Sequence, residues 1–151
     1  MGIGLPVVLP LHPRTRGAIE RFGLSQLLQG MTVIPPVSHA AFLWLASRCM
    51  LIVADLGGVQ EECTVLKKPL LVIRRSTERP EAVEAGFARL VAPELDVAAE
   101  AAMFLDDLQR APLTTVPSPY GDGTASNQIA QLALTFTGSS ATSCRTAGAR
   151  V

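Results

Sequence analysis

The sequence lacks the features that mark secreted, membrane-spanning and zinc-binding proteins. Its three cysteines, Cys49, Cys63 and Cys144, are odd in number and form no C-x-x-C pair, which predicts reduced thiols and neither a disulfide framework nor a metal site. The longest apolar run, residues 42–54, is interrupted by Arg48 and is too short to cross a bilayer. The first residues contain no basic segment and no cleavage site of a secretory signal, so the cytoplasm is the expected location.

An excess of charge of either sign is also missing. Thirteen basic and thirteen acidic side chains cancel to a formal net charge of zero, so neither a nucleic acid nor a membrane surface is predicted as a partner. Any anion must therefore be bound by a local cluster, and the sequence suggests no cofactor. The 151 residues, 48% of them hydrophobic, can bury one core and predict a single domain.

Five short apolar runs alternate with stretches of helical period. They are "PVVLPL", "MTVIPP", "MLIVAD", "LLVIRR" and "FARLV". Because these runs are continuously apolar, they predict an α/β fold with a parallel sheet covered by helices on both faces. Ser38 and Asp96 are predicted to cap the helices that follow them. Residues 1–136 are predicted to form the domain, and residues 137–151, rich in Ser, Thr, Gly and Ala, a disordered tail.

Four polar clusters come directly after strand-like runs. Ligands of an open parallel sheet bind beyond the carboxyl ends of its strands, so these clusters are expected to lie on one rim of the sheet. The clusters are "HPRTR", "PPVSHAAF", "DLGGVQEE" and "RRSTERPE".

The cluster "DLGGVQEE" offers the chemistry that a diphosphate needs. Gly57 and Gly58 would let the backbone approach a ligand closely, and the helix after them would direct free N–H groups at an anion. Glu61 and Glu62 are about 100° apart on such a helix, so only one of them can face the ligand. From the pattern alone, the glycine pair could equally be a turn, with the acidic residues favouring the helix start.

The other clusters also leave a structural and a functional interpretation open. Glu78 and Arg79 either order their loop by ion pairing or line an anion site. His12, between a strand and a proline, and His39, at a helix start, are either structural or part of a site at the rim. Phe42 either packs in the core or stacks on a planar base.

Taken together, four motifs resemble the non-hydrolysing UDP-N-acetylglucosamine 2-epimerases. They are "HPRTR" at 12–16, "DLGGVQEE" at 55–62, "STERPEAVEAG" at 76–86 and "SPYGDGTAS" at 118–126, in the family's order, and the resemblance covers residues 5 to 136. It implies one half of a two-domain fold of the GT-B type, in which two Rossmann-like domains face a cleft. It also implies UDP-GlcNAc and UDP-ManNAc as substrates, interconverted by elimination of UDP and its re-addition.

The resemblance assigns roles to residues by their place in these motifs. Gly57 and Gly58 would contact the diphosphate of UDP or a UDP-sugar, Glu62 the ribose hydroxyls and Phe42 the uracil. His12 would be the catalytic residue in the active site. Arg14, Glu78 and Arg79 would support the phosphate end.

Two departures from the family pattern shape the functional expectation. Leu56 stands where the family has a serine that donates a hydrogen bond to the phosphates. The resemblance also implies that the chain begins inside the family's second, C-terminal domain, so the acid and base residues of the first domain and one strand and helix of the second are expected to be missing. The chain is therefore expected to bind UDP but to be inactive alone, and its uncovered sheet edge to associate with a separate N-terminal half or another copy. The alternatives are a UDP-binding module, a fragment of a nucleotide-sugar glycosyltransferase and a vestigial product.

Overall fold

The computed structural model describes residues 4–136, so the tail predicted over residues 137–151 lies outside the described part. The chain divides into two compact units, Met1–Pro119 and Tyr120–Val151. Each unit is described by itself below.

The first unit alternates strands and helices as the sequence predicts. All five predicted strands form, the Ser38 hydroxyl accepts from the Ala41 amide, and Asp96 accepts from two amides at the start of its helix. Pro80 is the first residue of a short helix. The elements are β1 Val7–Pro10, α1 Pro13–Arg21, β2 Met31–Ile34, α2 His39–Arg48, β3 Ile52–Ala54, α3 Gly58–Leu66, β4 Leu70–Ile73, α4 Pro80–Glu84, β5 Ala88–Val91 and α5 Val97–Arg110, with 3-10 turns at Ser25–Leu28 and Leu113–Thr115.

Every strand pair is parallel, but the strands form two sheets and not the single one that the sequence predicts. β1 pairs with β2, and a second sheet has the order β3-β4-β5. Within residues 4–136, neither β1 nor β2 pairs with β3, and this is where the two sheets are separated. The α/β class with parallel strands is confirmed, and among residues 4–136 the outer strands of each sheet pair on one edge only.

The core lies on the three-stranded sheet. Leu71, Val91, Ala101 and Phe104 form a buried cluster between β4, β5 and α5, and residues 70–72 of the central strand are fully buried. The two-stranded sheet is covered much less, because α1 has no buried residue. The well-packed sheet therefore provides a firm base for the loops after β3 and β4.

The described part of the second unit consists of a glycine turn and one helix. Gly121 and Gly123 have φ angles of +99° and +86°, which favour glycine over any residue with a Cβ. Asp122 accepts hydrogen bonds from the amide and hydroxyl of Thr124, directly before α6, Ala125–Phe136. These bonds hold the pKa of Asp122 below its ordinary value. Among residues 4–136, no helix is long and apolar enough to cross a membrane.

Candidate ligand-binding site

The start of α3 has no side-chain cap among the described residues. The helix follows β3 after only three residues, with Gly57 as its N-cap, and no side chain of residues 4–136 accepts a hydrogen bond from the helix start. The first N–H groups of a helix have no partner within the helix, and the helix dipole adds positive potential at the same point. An uncapped helix start of this kind favours an anion.

The two glycines at this helix start are not required by the fold. Gly57 has an ordinary helical φ of −67°, and Gly58 is not among the glycines with positive φ. A Cβ on Gly57 would meet only the Arg79 guanidine, at 3.6 Å, and a Cβ on Gly58 would meet nothing within 4 Å. Glycine in a helix costs about 0.5–1 kcal/mol relative to alanine. The space above the glycines is therefore open to something outside the described chain.

The adjacent acidic residues of α3 pair with two different parts of the chain. Glu61 forms an ion pair with Arg79, which lies just before α4. Glu62 Oε1 lies 2.6 Å from Nε2 of His39, the first residue of α2. Three of the four polar clusters therefore meet at the first turns of α3.

A partly buried hydrogen bond fixes the loop that carries Arg79. Thr77 donates from its hydroxyl to the side-chain oxygen of Gln60 at 2.7 Å, and the same hydroxyl accepts from the Arg79 amide at 3.1 Å. Gln60 is fully buried. The sequence interpretation overlooked Gln60 and Thr77, because nothing in the local pattern shows that a glutamine on α3 packs against a loop beyond β4.

His12 caps α1 with one ring nitrogen. Its Nδ1 accepts a hydrogen bond from the Arg14 amide at 3.2 Å. A neutral imidazole that accepts at Nδ1 carries its proton on Nε2, so the remaining nitrogen is a donor. In this form His12 can donate a hydrogen bond to an oxygen atom but cannot remove a proton through Nε2.

The other predicted site residues surround this cluster less directly. Phe42, half-buried, lies three positions after His39 and hence on the same side of α2. Glu78 is exposed beside Arg79. Within residues 4–136, no hydrogen bond or ion pair joins His12, Arg14, Phe42 or Glu78 to Glu61, Glu62, His39 or Arg79.

The remaining titratable groups give no sign of metal or thiol chemistry. Burial raises the pKa of the Cys63 thiol to about 12 and also raises that of Cys49, so both stay protonated near neutral pH. In the described part of the chain, no three His, Cys, Asp or Glu side chains are grouped so as to hold a metal ion. The arrangement suits an anion at the helix start and hydroxyl groups beside the Glu62 carboxylate.

Two solved structures of UDP-GlcNAc 2-epimerases are similar to this chain. The structure of the Methanocaldococcus jannaschii UDP-GlcNAc 2-epimerase in complex with UDP-GlcNAc and UDP is 31% identical, with a TM-score of 0.72, and the match covers 87% of this chain and 36% of that one. The Neisseria meningitidis UDP-GlcNAc 2-epimerase bound to UDP-GlcNAc is 36% identical, with a TM-score of 0.68, over 87% and 36% of the two chains.

Sequence relatives agree with this result. A probable UDP-N-acetylglucosamine 2-epimerase of Ralstonia solanacearum is 40% identical over 130 residues, which are 82% of this chain and 33% of the relative. A UDP-2,3-diacetamido-2,3-dideoxy-D-glucuronate 2-epimerase of Pseudomonas aeruginosa is 42% identical over 132 residues, 83% and 34% of the two chains. The chain thus spans about a third of the length of the curated relatives it matches.

The family model described as UDP-N-acetylglucosamine 2-epimerase matches residues 3–134, nearly the whole of the described chain. This chain therefore belongs to the UDP-N-acetylglucosamine 2-epimerase family.

Proposed function

We propose that this chain binds the UDP moiety of a UDP-sugar and corresponds to the C-terminal, nucleotide-binding half of a two-domain epimerase with a Rossmann-like fold. The observation that carries the proposal is the glycine pair at the uncapped start of α3. Neither the backbone conformation nor any neighbour among residues 4–136 requires glycine at position 57 or 58. A diphosphate that lies against the helix start would explain why both positions are glycine.

The surrounding side chains fit the remaining parts of UDP. The Glu62 carboxylate accepts hydrogen bonds from the vicinal ribose hydroxyls, and the ring of Phe42, on the same side of α2 as His39, packs on the uracil. Arg79, the ion-pair partner of Glu61, lies beside the helix start and donates guanidinium N–H groups to the diphosphate. Arg14 and Glu78 act at the phosphate end, and His12 donates from Nε2 to the bound ligand.

The class of ligand follows from what the relatives share. One relative is named for UDP-N-acetylglucosamine and another for UDP-2,3-diacetamido-2,3-dideoxy-D-glucuronate. These two substrates differ in the sugar but not in UDP. We therefore assign UDP recognition to this chain and propose that, within a complete protein, the site holds UDP while the sugar is epimerised at C2.

The chain by itself is proposed to bind UDP but not to catalyse epimerisation. Epimerisation requires a base within hydrogen-bond reach of C2 and an acid on the opposite face. His12 is the only candidate for the acid or base in the motifs, and its Nδ1 already accepts a hydrogen bond from the Arg14 amide at the start of α1. One imidazole with its proton on Nε2 cannot serve both faces of the carbon.

Calorimetric titration of the purified chain with UDP tests this function. We expect a dissociation constant in the micromolar to millimolar range, lost in Glu62→Ala and unchanged in the matched control Glu84→Ala, an exposed glutamate at the end of α4. The chain should not convert UDP-GlcNAc to UDP-ManNAc. A folded chain that gives no binding heat with UDP would overturn the proposal.

A further inference from the structure

Gln60 carries a buried amide group that is paired through its oxygen. The residue lies in the first turn of α3 and is fully buried, and its side-chain oxygen accepts a hydrogen bond from the Thr77 hydroxyl at 2.7 Å. Its side-chain nitrogen is buried as well and has no hydrogen-bond partner among residues 4–136. A buried amide donor without a partner lowers stability, so a group of this kind requires an explanation.

Stability does not explain a glutamine at this position. Two apolar side chains of similar shape at positions 60 and 77 would fill the same space and bury no polar atom. Replacing both partners of a buried hydrogen bond in this way is often neutral or stabilising. The bond between Gln60 and Thr77 therefore points to a function that an apolar pair would not supply.

The Thr77 hydroxyl links Gln60 to Arg79. The same oxygen that donates to Gln60 accepts a hydrogen bond from the Arg79 amide at 3.1 Å. Arg79 is the residue directly before α4, and α3 and α4 also contact each other. The backbone of Arg79 is thus tied to the buried face of α3 through one hydroxyl group.

The Arg79 side chain lies over the start of α3. A Cβ added to Gly57 would be 3.6 Å from the Arg79 Nε atom, and the guanidinium forms an ion pair with Glu61. The side chains of Arg79 and Glu61 are 38% and 46% exposed, and exposed ion pairs contribute little. The ion pair by itself therefore holds the arginine weakly, and the hydrogen-bonded backbone supplies the remaining restraint.

We propose that Gln60 and Thr77 are positioning residues of the ligand site, which hold the backbone of Arg79 so that its guanidinium reaches a diphosphate at the start of α3. The inference rests on the proposed binding of UDP. Gln60 is fully buried and acts through Thr77 without touching the ligand. An arginine whose backbone is already fixed loses less conformational freedom on binding, and this strengthens the interaction with the phosphates.

The double variant Gln60→Met/Thr77→Val tests the proposal, because it removes both hydrogen bonds and leaves no unpaired side-chain amide. Its urea midpoint should equal or exceed that of the original chain. UDP should bind about three- to tenfold more weakly, because the arginine must then be ordered on binding. Uridine, which has no phosphate, should bind with an affinity changed by less than about twofold. NMR titration measures the affinity for both ligands.

Two matched variants separate positioning from packing. Thr77→Ser keeps the hydroxyl and should keep the UDP affinity within about twofold. Thr64→Val removes another buried hydroxyl of α3, which contacts the Ser118 hydroxyl at 2.7 Å, and should lower the urea midpoint but not the UDP affinity. The Arg79 amide should exchange with deuterium at least about tenfold faster in the double variant and at its original rate in Thr64→Val.

The inference is overturned if the double variant binds UDP as tightly as the original chain does, or if UDP and uridine lose affinity alike. An equal loss of UDP affinity in Thr64→Val would overturn it as well, because the effect would then come from stability alone. If the double variant does not fold, Thr77→Val by itself gives the same comparison of UDP with uridine. Absence of UDP binding by the original chain would instead overturn the proposed function.

Discussion

Glu62 Oε1 lies 2.6 Å from His39 Nε2, across 23 positions of sequence. The contact joins the carboxylate proposed to bind ribose to the first residue of α2, three positions before Phe42. The histidine side chain is 69% exposed, so the pair contributes little to stability. Its importance lies in holding the carboxylate in one orientation.

Replacement of His39 by alanine should therefore weaken UDP binding about three- to tenfold, because the Glu62 carboxylate loses its orienting partner. The thermal midpoint should fall by less than about 2 °C, as for other exposed pairs. Calorimetry and thermal melting of the same preparation check both expectations. Tighter UDP binding in His39→Ala would show instead that the imidazole competes with ribose for the carboxylate.

Replacement of Gly58 by alanine should separate stability from binding. The change should stabilise the chain by about 0.5–1 kcal/mol, because the helical backbone and the open space accept a Cβ. UDP affinity should fall at least about tenfold, because the methyl group occupies the place of the diphosphate. Gly17→Ala is the matched control, since Gly17 lies inside α1 with nothing within 4 Å of its added Cβ. Equal UDP affinity in both variants would remove the ligand explanation for the glycine.

Leu56→Ser should strengthen UDP binding. The serine restores the phosphate hydrogen bond that the family pattern implies, and a hydrogen bond to a charged group contributes about 1.5–3 kcal/mol, or at least about tenfold in affinity. Leu56 is 62% exposed, so its loss should cost little stability. Leu95→Ser, at a 51% exposed position, is the control and should leave the affinity unchanged. If calorimetry gives Leu56→Ser the affinity of the original chain, residue 56 does not contact the phosphates.

Thr77→Val should destabilise the first unit by about 1–3 kcal/mol, because the buried Gln60 oxygen loses its hydroxyl donor. Thr77→Ser keeps the hydroxyl and should retain most of the stability. Urea unfolding of the three proteins measures the difference. The prediction fails if valine and serine have the same effect, which would mean that the hydrogen bond is replaced by another partner.

The Cys63 thiol should make stability fall at alkaline pH. Burial raises its pKa in the folded chain to about 12 from an ordinary value of 9.0. Above pH 9 the unfolded chain releases this proton and the folded chain keeps it, so the free energy of unfolding decreases as pH rises towards 12. Urea unfolding between pH 8 and pH 10.5 should show a shallower decline in Cys63→Ala. Parallel declines in the two proteins would show that the thiol titrates alike in both states.

The helix starts and strands follow from local sequence. The Ser38 and Asp96 caps, the Pro80 helix start and all five strands form where the sequence predicts them, because a cap acts over two or three residues and an apolar run defines its own strand. The motif "DLGGVQEE" likewise places two glycines and two acids at a helix start, as predicted. These features require no knowledge of distant contacts.

Tertiary structure decided which side chains pair with each other and which strands lie side by side. The sequence predicts that Glu61 and Glu62 diverge on α3, but only packing directs one to Arg79 and the other to His39. The Gln60–Thr77 bond spans 17 positions, and the division into two sheets depends on which strand edges meet. Helical period, caps and turns act within a few residues, whereas these contacts arise only when separate elements pack together. The sequence by itself therefore determined the elements and the chemistry at their ends, and the tertiary structure determined which of those ends meet.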